Sequence, residues 1–148
     1  MSTDSEEACP IPTAPPRDEA AVMDRMLRWR RVAIVGLSDD PGRASFSIAS
    51  YLLGQGYEVV PVNPNHTNVL GLRCYPSLDA VPGKLELVNV FRRPEFCADV
   101  AREAVARGAT GVWLQSGIVN NEARQIAARA GIDYIENRCI MVEHMRRG

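Results

Sequence analysis

The sequence predicts an α/β protein of Rossmann-like type: a doubly wound open sheet of five parallel strands, ordered 3-2-1-4-5, with helices on both faces. Three observations carry that expectation. Short segments rich in β-branched and aromatic residues alternate with segments long enough for helices. Several of the short segments are almost continuously apolar, as strands buried on both faces must be. Glycines 56, 108 and 131 stand where each of the longer segments should stop, the position at which a helix most often ends on a left-handed residue.

Taken in order, residues 1–17 hold four prolines and almost no large apolar side chain. They read as a disordered or loosely docked arm, with one domain over 18–148, because so little apolar surface cannot offset the entropy of ordering. Residues 19–30 place Ala21, Val22, Met26, Leu27 and Trp29 at helical spacing, an amphipathic helix for the edge of the domain. The five strands are expected at 31–37 (RVAIVGL), 57–62 (YEVVPV), 85–91 (LELVNVF), 111–115 (GVWLQ) and 132–135 (IDYI), and helices at 45–55, 94–107 and 120–130. Pro94 suits a first helical turn, and Asn120 or Asn121 can cap the following helix. The second crossover, 63–84, reads as mostly loop, with a small strand at 72–74 and a single turn at 77–80. A closing helix is expected over 139–145.

Composition narrows the function classes. The chain has 148 residues, a formal net charge of -1 and 6% aromatic residues, which argues against a nucleic-acid surface built of basic and stacking side chains. No apolar run approaches a membrane span and no leader-like segment opens the chain, so the expected setting is the cytoplasm. Cys9, Cys74, Cys97 and Cys139 are scattered without a paired motif, which indicates neither a zinc ribbon nor a redox dithiol. A symmetric homodimer is the default expectation for an oligomer.

In a doubly wound fold, ligands bind beyond the carboxyl ends of the strands, where the strand order reverses. The first such end, G-L-S-D-D-P-G-R-A-S, leads into a helix whose N–H groups and dipole favour an anion. Gly36 permits a tight exit from the strand and Gly42 a close backbone approach. Ser38 and Ser45 offer hydroxyls, and Arg43 a fork suited to phosphate. A nicotinamide dinucleotide site fits poorly, because glycines are missing at Ser38 and Pro41 and the second strand ends V-N-P-N without a carboxylate for a ribose diol. With Arg43, His66, Arg92 and Arg93 at neighbouring strand ends, and Arg138 at the last, the pattern favours a ligand with additional phosphate on or near its ribose. NADP and coenzyme A both meet that description.

The motifs V-A-I-V-G-L-S-D-D-P-G-R-A-S, V-V-P-V-N-P, F-R-R-P-E, V-W-L-Q-S-G and N-R-C-I-M-V-E-H, in that order, resemble the small CoA-binding domain family. They are also similar to the N-terminal CoA-binding domain of the succinyl-CoA synthetase alpha subunit. The resemblance implies a coenzyme A, or acyl-CoA, lying across the strand ends. Gly36, Leu37, Ser38, Gly42, Arg43 and Ser45 would hold phosphate, while Val62, Asn63 and Pro64 line the adenine or ribose. His66 stands near a lysine of the synthetase loop. Phe91, Arg92 and Pro94 would form the next wall, and Gln115, Ser116 and Gly117 would border the pantetheine arm. The synthetase's second domain, with its phosphorylated histidine, has no counterpart in these residues, so the resemblance does not imply ligase activity.

Other readings stand beside this one. Cys139 follows Arg138 at a helix start, with Glu143 and His144 nearby, yet spacing alone does not give a nucleophile its base; a structural role is the expectation. Trp113 and the group Met141, Val142 and Met145 are expected in the core. No catalytic residue or metal ligand is assigned. The alternatives are a small NADP-dependent reductase, a CoA-ligase-associated subunit, or an interaction module working through its final helix.

Overall fold

The computed structural model describes residues 17–147. Helix α1 (Arg17–Met26) precedes strand β1 (Arg31–Val35), helix α2 (Ala44–Gly54) and strand β2 (Glu58–Val62). A two-strand hairpin, β3 (Asn68–Val69) and β4 (Leu72–Arg73), and a 3-10 turn (Leu78–Ala80) fill the second crossover. Then come β5 (Leu87–Val90), α3 (Pro94–Ala106), β6 (Gly111–Leu114), α4 (Asn121–Ala130), β7 (Asp133–Ile135) and α5 (Ile140–Arg146). The arm expected over 1–17 lies outside the described residues apart from Arg17, which begins α1.

The five long strands form one parallel sheet with helices on both faces, the expected Rossmann-like α/β arrangement. Their order differs from the expected one: it is β2-β1-β5-β6-β7, or 2-1-3-4-5 counted over the five. The helix-poor second crossover explains the difference. It lays Leu78, Val81 and Leu85 into the core beside α3, on the face opposite α2, whose Ile48, Ala49 and Leu52 join the other core. A right-handed crossover changes face only when the chain reverses direction along the sheet. The third long strand must therefore return past β1 and pair on its free edge, Val32 with Leu87 through Val35 with Val90.

One face buries α1, α2 and α5 around Ile34, Leu87 and the fully buried Trp113. The other buries α3 and α4 around Val88, Val90 and Val112. Helix α1 stops earlier than expected because the chain winds down through Leu27 and Arg28, and Trp29 then packs against Gly111, where a Cβ would come within 2.9 Å of its ring. Glycines 56, 108 and 131 follow their helices with φ of 90°, 72° and 71°, as helix-stopping residues. Asn120 caps α4 by accepting from the Ala123 N–H at 2.8 Å. Trp113 is core as expected, but Val142 and Met145 are exposed, because only the Ile140 side of the short α5 faces the sheet.

Candidate functional site

The order of the strands places the reversal between β1 and β5, and the chain there is unusually close. A Cβ on Gly36 would lie 2.6 Å from the Phe91 carbonyl oxygen, and Gly36 has φ +88°, a backbone conformation that costs other residues dearly. Glycine thus lets the β1–α2 and β5–α3 loops touch. Asn63 stitches the β2 end to the same point by donating to the Leu37 carbonyl at 3.0 Å. Buried Cys97 donates to the Arg92 and Arg93 carbonyls at 3.7 and 3.6 Å, fixing the β5–α3 turn from below. Burial pushes its thiol up to about 11, so it is an inert anchor at neutral pH.

Two cavities open on either side of Phe91 and Arg92, which line both. The β2-side cavity, about 420 Å³, is walled by Val62, Asn63 and Pro64 from the second strand and by Phe96, Val100 and Glu103 from α3. The β6-side cavity, about 630 Å³, runs between α2 (Ala44, Ile48), Pro94, Gln115 with Ser116, and Cys139 with Met141. The first mixes apolar walls with carboxamides and charge. The second is largely apolar.

The β1–α2 loop is braced from within. The Ser38 N–H donates to Ser45 Oγ at 3.0 Å, the Asp40 N–H to Ser38 Oγ at 3.0 Å, and the Gly42 N–H to Asp40 Oδ1 at 2.9 Å. Both hydroxyls therefore act first as acceptors that shape the loop, each keeping one hydrogen to donate. Arg43 is the N-cap residue of α2, whose start has no side-chain cap. It is exposed, and among the described residues no carboxylate pairs with it. His66 reaches across to Asp39, Nδ1 to Oδ2 3.5 Å.

Of the sequence-predicted residues, Gly36, Val62, Asn63, Pro64, Phe91, Arg92, Pro94, Gln115 and Ser116 line one cavity or both. The Leu37 side chain is fully buried, leaving only its backbone toward the loop. Ser38, Gly42, Arg43 and His66 lie in loops and Ser45 in the first turn of α2, and none of the five lines either cavity. Gly117 donates its N–H to Asn137 Oδ1 at 2.7 Å, a contact that ties the β6 loop to the β7 end. Two expected cations have other work. Arg138 pairs with Glu19 of α1 at 2.9 Å, and Arg93 stands near Glu95 at 3.7 Å. Arg92 instead lies 4.4 Å over the Phe96 ring, held at the junction of the cavities by a cation–π contact.

The α3 wall, with Phe96, Asp99 and Glu103, is absent from the sequence reading of the site, as is Ile48, and Met141, expected in the core, lines the β6-side cavity. A polar residue on an amphipathic helix is ordinarily solvent-facing, and nothing local says that a crossover will rise opposite it. Cys139 is the N-cap residue of α5, while His144 Nδ1 bonds the Tyr51 hydroxyl at 2.7 Å and buried Glu143 pairs with Arg146 and Arg147 at 3.2 and 3.0 Å. At the β7 end, burial alone would raise the Glu136 carboxyl, but hydrogen bonds from Arg124, Tyr134 and the Asn120 N–H outweigh it and hold it below its ordinary value. Among the described residues no group of three His, Cys, Asp or Glu side chains could hold a metal, and no helix is long and apolar enough to cross a membrane.

Residues 30–145 match the model of the CoA-binding domain family. The chain belongs to that family. It is 39% identical over 126 residues to the uncharacterized protein YneT of Bacillus subtilis, covering 85% of this chain and 93% of that one. A solved hypothetical protein from Pyrococcus horikoshii superposes with a TM-score of 0.83 at 37% identity, over 96% of this CoA-binding domain protein and 98% of the other. An ADP-forming acetate–CoA ligase from Archaeoglobus fulgidus is 28% identical over 98 residues, 65% of this chain but only 15% of the ligase. The similarity therefore spans one small part of a much longer enzyme.

Proposed function

We propose that this CoA-binding domain protein binds coenzyme A or an acyl-CoA across the carboxyl ends of its strands. The observation that carries the reading is the pair of cavities meeting at Gly36, Phe91 and Arg92. One is mixed in character and one apolar, as a cofactor with a nucleotide head and an uncharged arm requires. The residues present fit such a ligand: the Gly36 cradle admits the backbone where a side chain would intrude, and Arg43 and Arg92 supply planar cations for phosphate.

In this reading Val62, Asn63 and Pro64 receive the adenosine, and the start of α2 with Arg43 and Arg92 faces the phosphates. Gln115, Ser116 and Met141 follow the arm toward Cys139. Bound CoA would supply a thiol or thioester; the chain's own residues orient it and shield it. In this reading His66 would contribute beside the phosphates, where its ring also neighbours Asp39. We read the role as binding without catalysis, in the cytoplasm, with a homodimer as its simplest assembly.

A second reading draws on the acetate–CoA ligase relatives: a stand-alone CoA site that serves a separate ligase chain. Co-purification of a larger synthetase-like polypeptide would favour it. The NADP-dependent reductase alternative would be favoured by hydride transfer seen in an absorbance assay with NADPH.

Two outcomes follow. Arg43→Glu should weaken CoA binding by about tenfold without changing the melting temperature, because it reverses one exposed charge beside phosphate; calorimetric titration with a thermal melt checks both. Cys139 should be the first of the three described thiols to react with an alkylating reagent, since Cys74 and Cys97 are buried. Saturating CoA should slow that reaction several-fold, as peptide mass spectrometry over a labelling time course would show. Unaltered labelling of Cys139 would remove the arm from the β6-side cavity.

A further inference from the structure

Helix α3 carries one carboxylate with which no cation pairs among the described residues. Glu103 is partly buried and lines the β2-side cavity with Phe96 and Val100. Its natural partner one turn on, Arg107, is occupied elsewhere: it donates to the carbonyls of Leu78, Val81 and Gly83 at 3.1, 2.9 and 3.0 Å. The neighbouring Arg102 pairs with Asp99 at 2.9 Å and with Glu122. Asp99 shares the cavity wall, but its side chain is 81% exposed and already holds that arginine. Glu103 thus lines, as an acceptor, a cavity of about 420 Å³ in which Val62, Pro64, Phe96 and Val100 offer apolar surface suited to the faces of a flat ring, beside the polar Asn63, Asn65, Ser77 and Arg92.

A carboxylate in that position repels phosphate and attracts an N–H donor. We propose that Glu103 reads the base of the nucleotide, accepting a hydrogen bond from the exocyclic amine of adenine, and so sets the specificity of the β2-side cavity for an aminopurine. The assignment rests on the CoA reading. It adds a residue outside the strand ends, and it predicts discrimination at the ring edge rather than at the ribose or phosphates.

The test uses the adenosine bisphosphate half of CoA and its counterpart carrying unsubstituted purine, titrated into wild-type protein, Glu103→Ala and Glu103→Gln. Losing the amine removes the donor and offers no other in its place. Wild-type protein should bind the adenine compound roughly tenfold more tightly, the effect of leaving one charged acceptor unpaired in a half-buried site. Glu103→Ala should narrow the gap to within about twofold, and Glu103→Gln, which keeps an acceptor oxygen, should restore part of it. Removing a negative charge will raise the affinity of both anionic compounds, so the gap is the readout and absolute affinity is not. Alanine on an amphipathic helix favours folding, and matching melts confirm it. Equal binding of both compounds by wild-type protein, or an undiminished gap in Glu103→Ala, would overturn the assignment and leave the CoA reading standing. No binding of either compound or of CoA itself would remove the CoA reading, and the assignment with it.

Discussion

Gly36→Ala should destabilise the protein by about 2–4 kcal/mol and abolish measurable CoA binding. Two costs add at this position. The backbone there has φ +88°, which an L side chain resists, and the new Cβ would stand 2.6 Å from the Phe91 carbonyl oxygen and 3.3 Å from Arg92 Cδ. The nearer atom is backbone and cannot swing aside. Relief requires β1 and β5 to part at their carboxyl ends, where their last paired residues are Val35 and Val90. Urea unfolding would read the stability loss, and titration of the remaining folded protein the affinity. By contrast Gly71, with φ +73° but nothing within 4 Å of an added Cβ, should lose only the smaller cost of its backbone conformation on the same substitution.

Arg92→Glu should cost about a hundredfold in CoA affinity, the largest effect of any single charge change, with stability reduced by less than about 1 kcal/mol. Arg92 lines both cavities and is held over Phe96, so its charge is preorganised at the point where the nucleotide head and the arm would join. A glutamate there replaces attraction by repulsion in a half-buried setting, where screening by solvent is weaker than at exposed Arg43. Arg92→Lys should recover only part of the affinity, because a point charge lacks the planar fork. Equal losses for Arg92→Glu and for the exposed Arg93→Glu would show that general charge, rather than the position of Arg92, is being read.

Much of the fold was legible because burial on both faces leaves a direct trace. Stretches such as 32–35 and 111–114 are apolar at consecutive positions, a pattern that few other elements share. Three of the expected strands run long by one or two residues at their carboxyl ends, where Gly36, Phe91 and Gln115 still donate a backbone hydrogen bond to the neighbouring strand as the chain turns away. Strand order was less legible. The choice turned on a crossover without a helix, whose three core anchors Leu78, Val81 and Leu85 carry no periodicity to show which face they cover.

The site divides along the same line. Residues at strand ends follow from topology, and those expected at Gly36, Asn63, Phe91, Arg92 and Gln115 meet at the cavities. Side chains arriving from elsewhere do not announce themselves. Arg138 looks like a phosphate ligand until α1 brings Glu19 against it across 119 positions of sequence. Glu103 looks like a solvated helix residue until Arg107 turns to the crossover carbonyls. Long-range ion pairing decides which charges remain for a ligand, and one sequence does not contain that information in local form.

Competitive titration of CoA, dephospho-CoA and NADP into the freshly purified protein asks whether a CoA-shaped ligand occupies the strand ends. Expected are saturable binding of CoA, binding of dephospho-CoA weakened by roughly tenfold through loss of one phosphate contact, and weaker binding still of NADP, whose nicotinamide half suits neither the length nor the apolar lining of the β6-side cavity. Binding of NADP with none of CoA would contradict that occupancy.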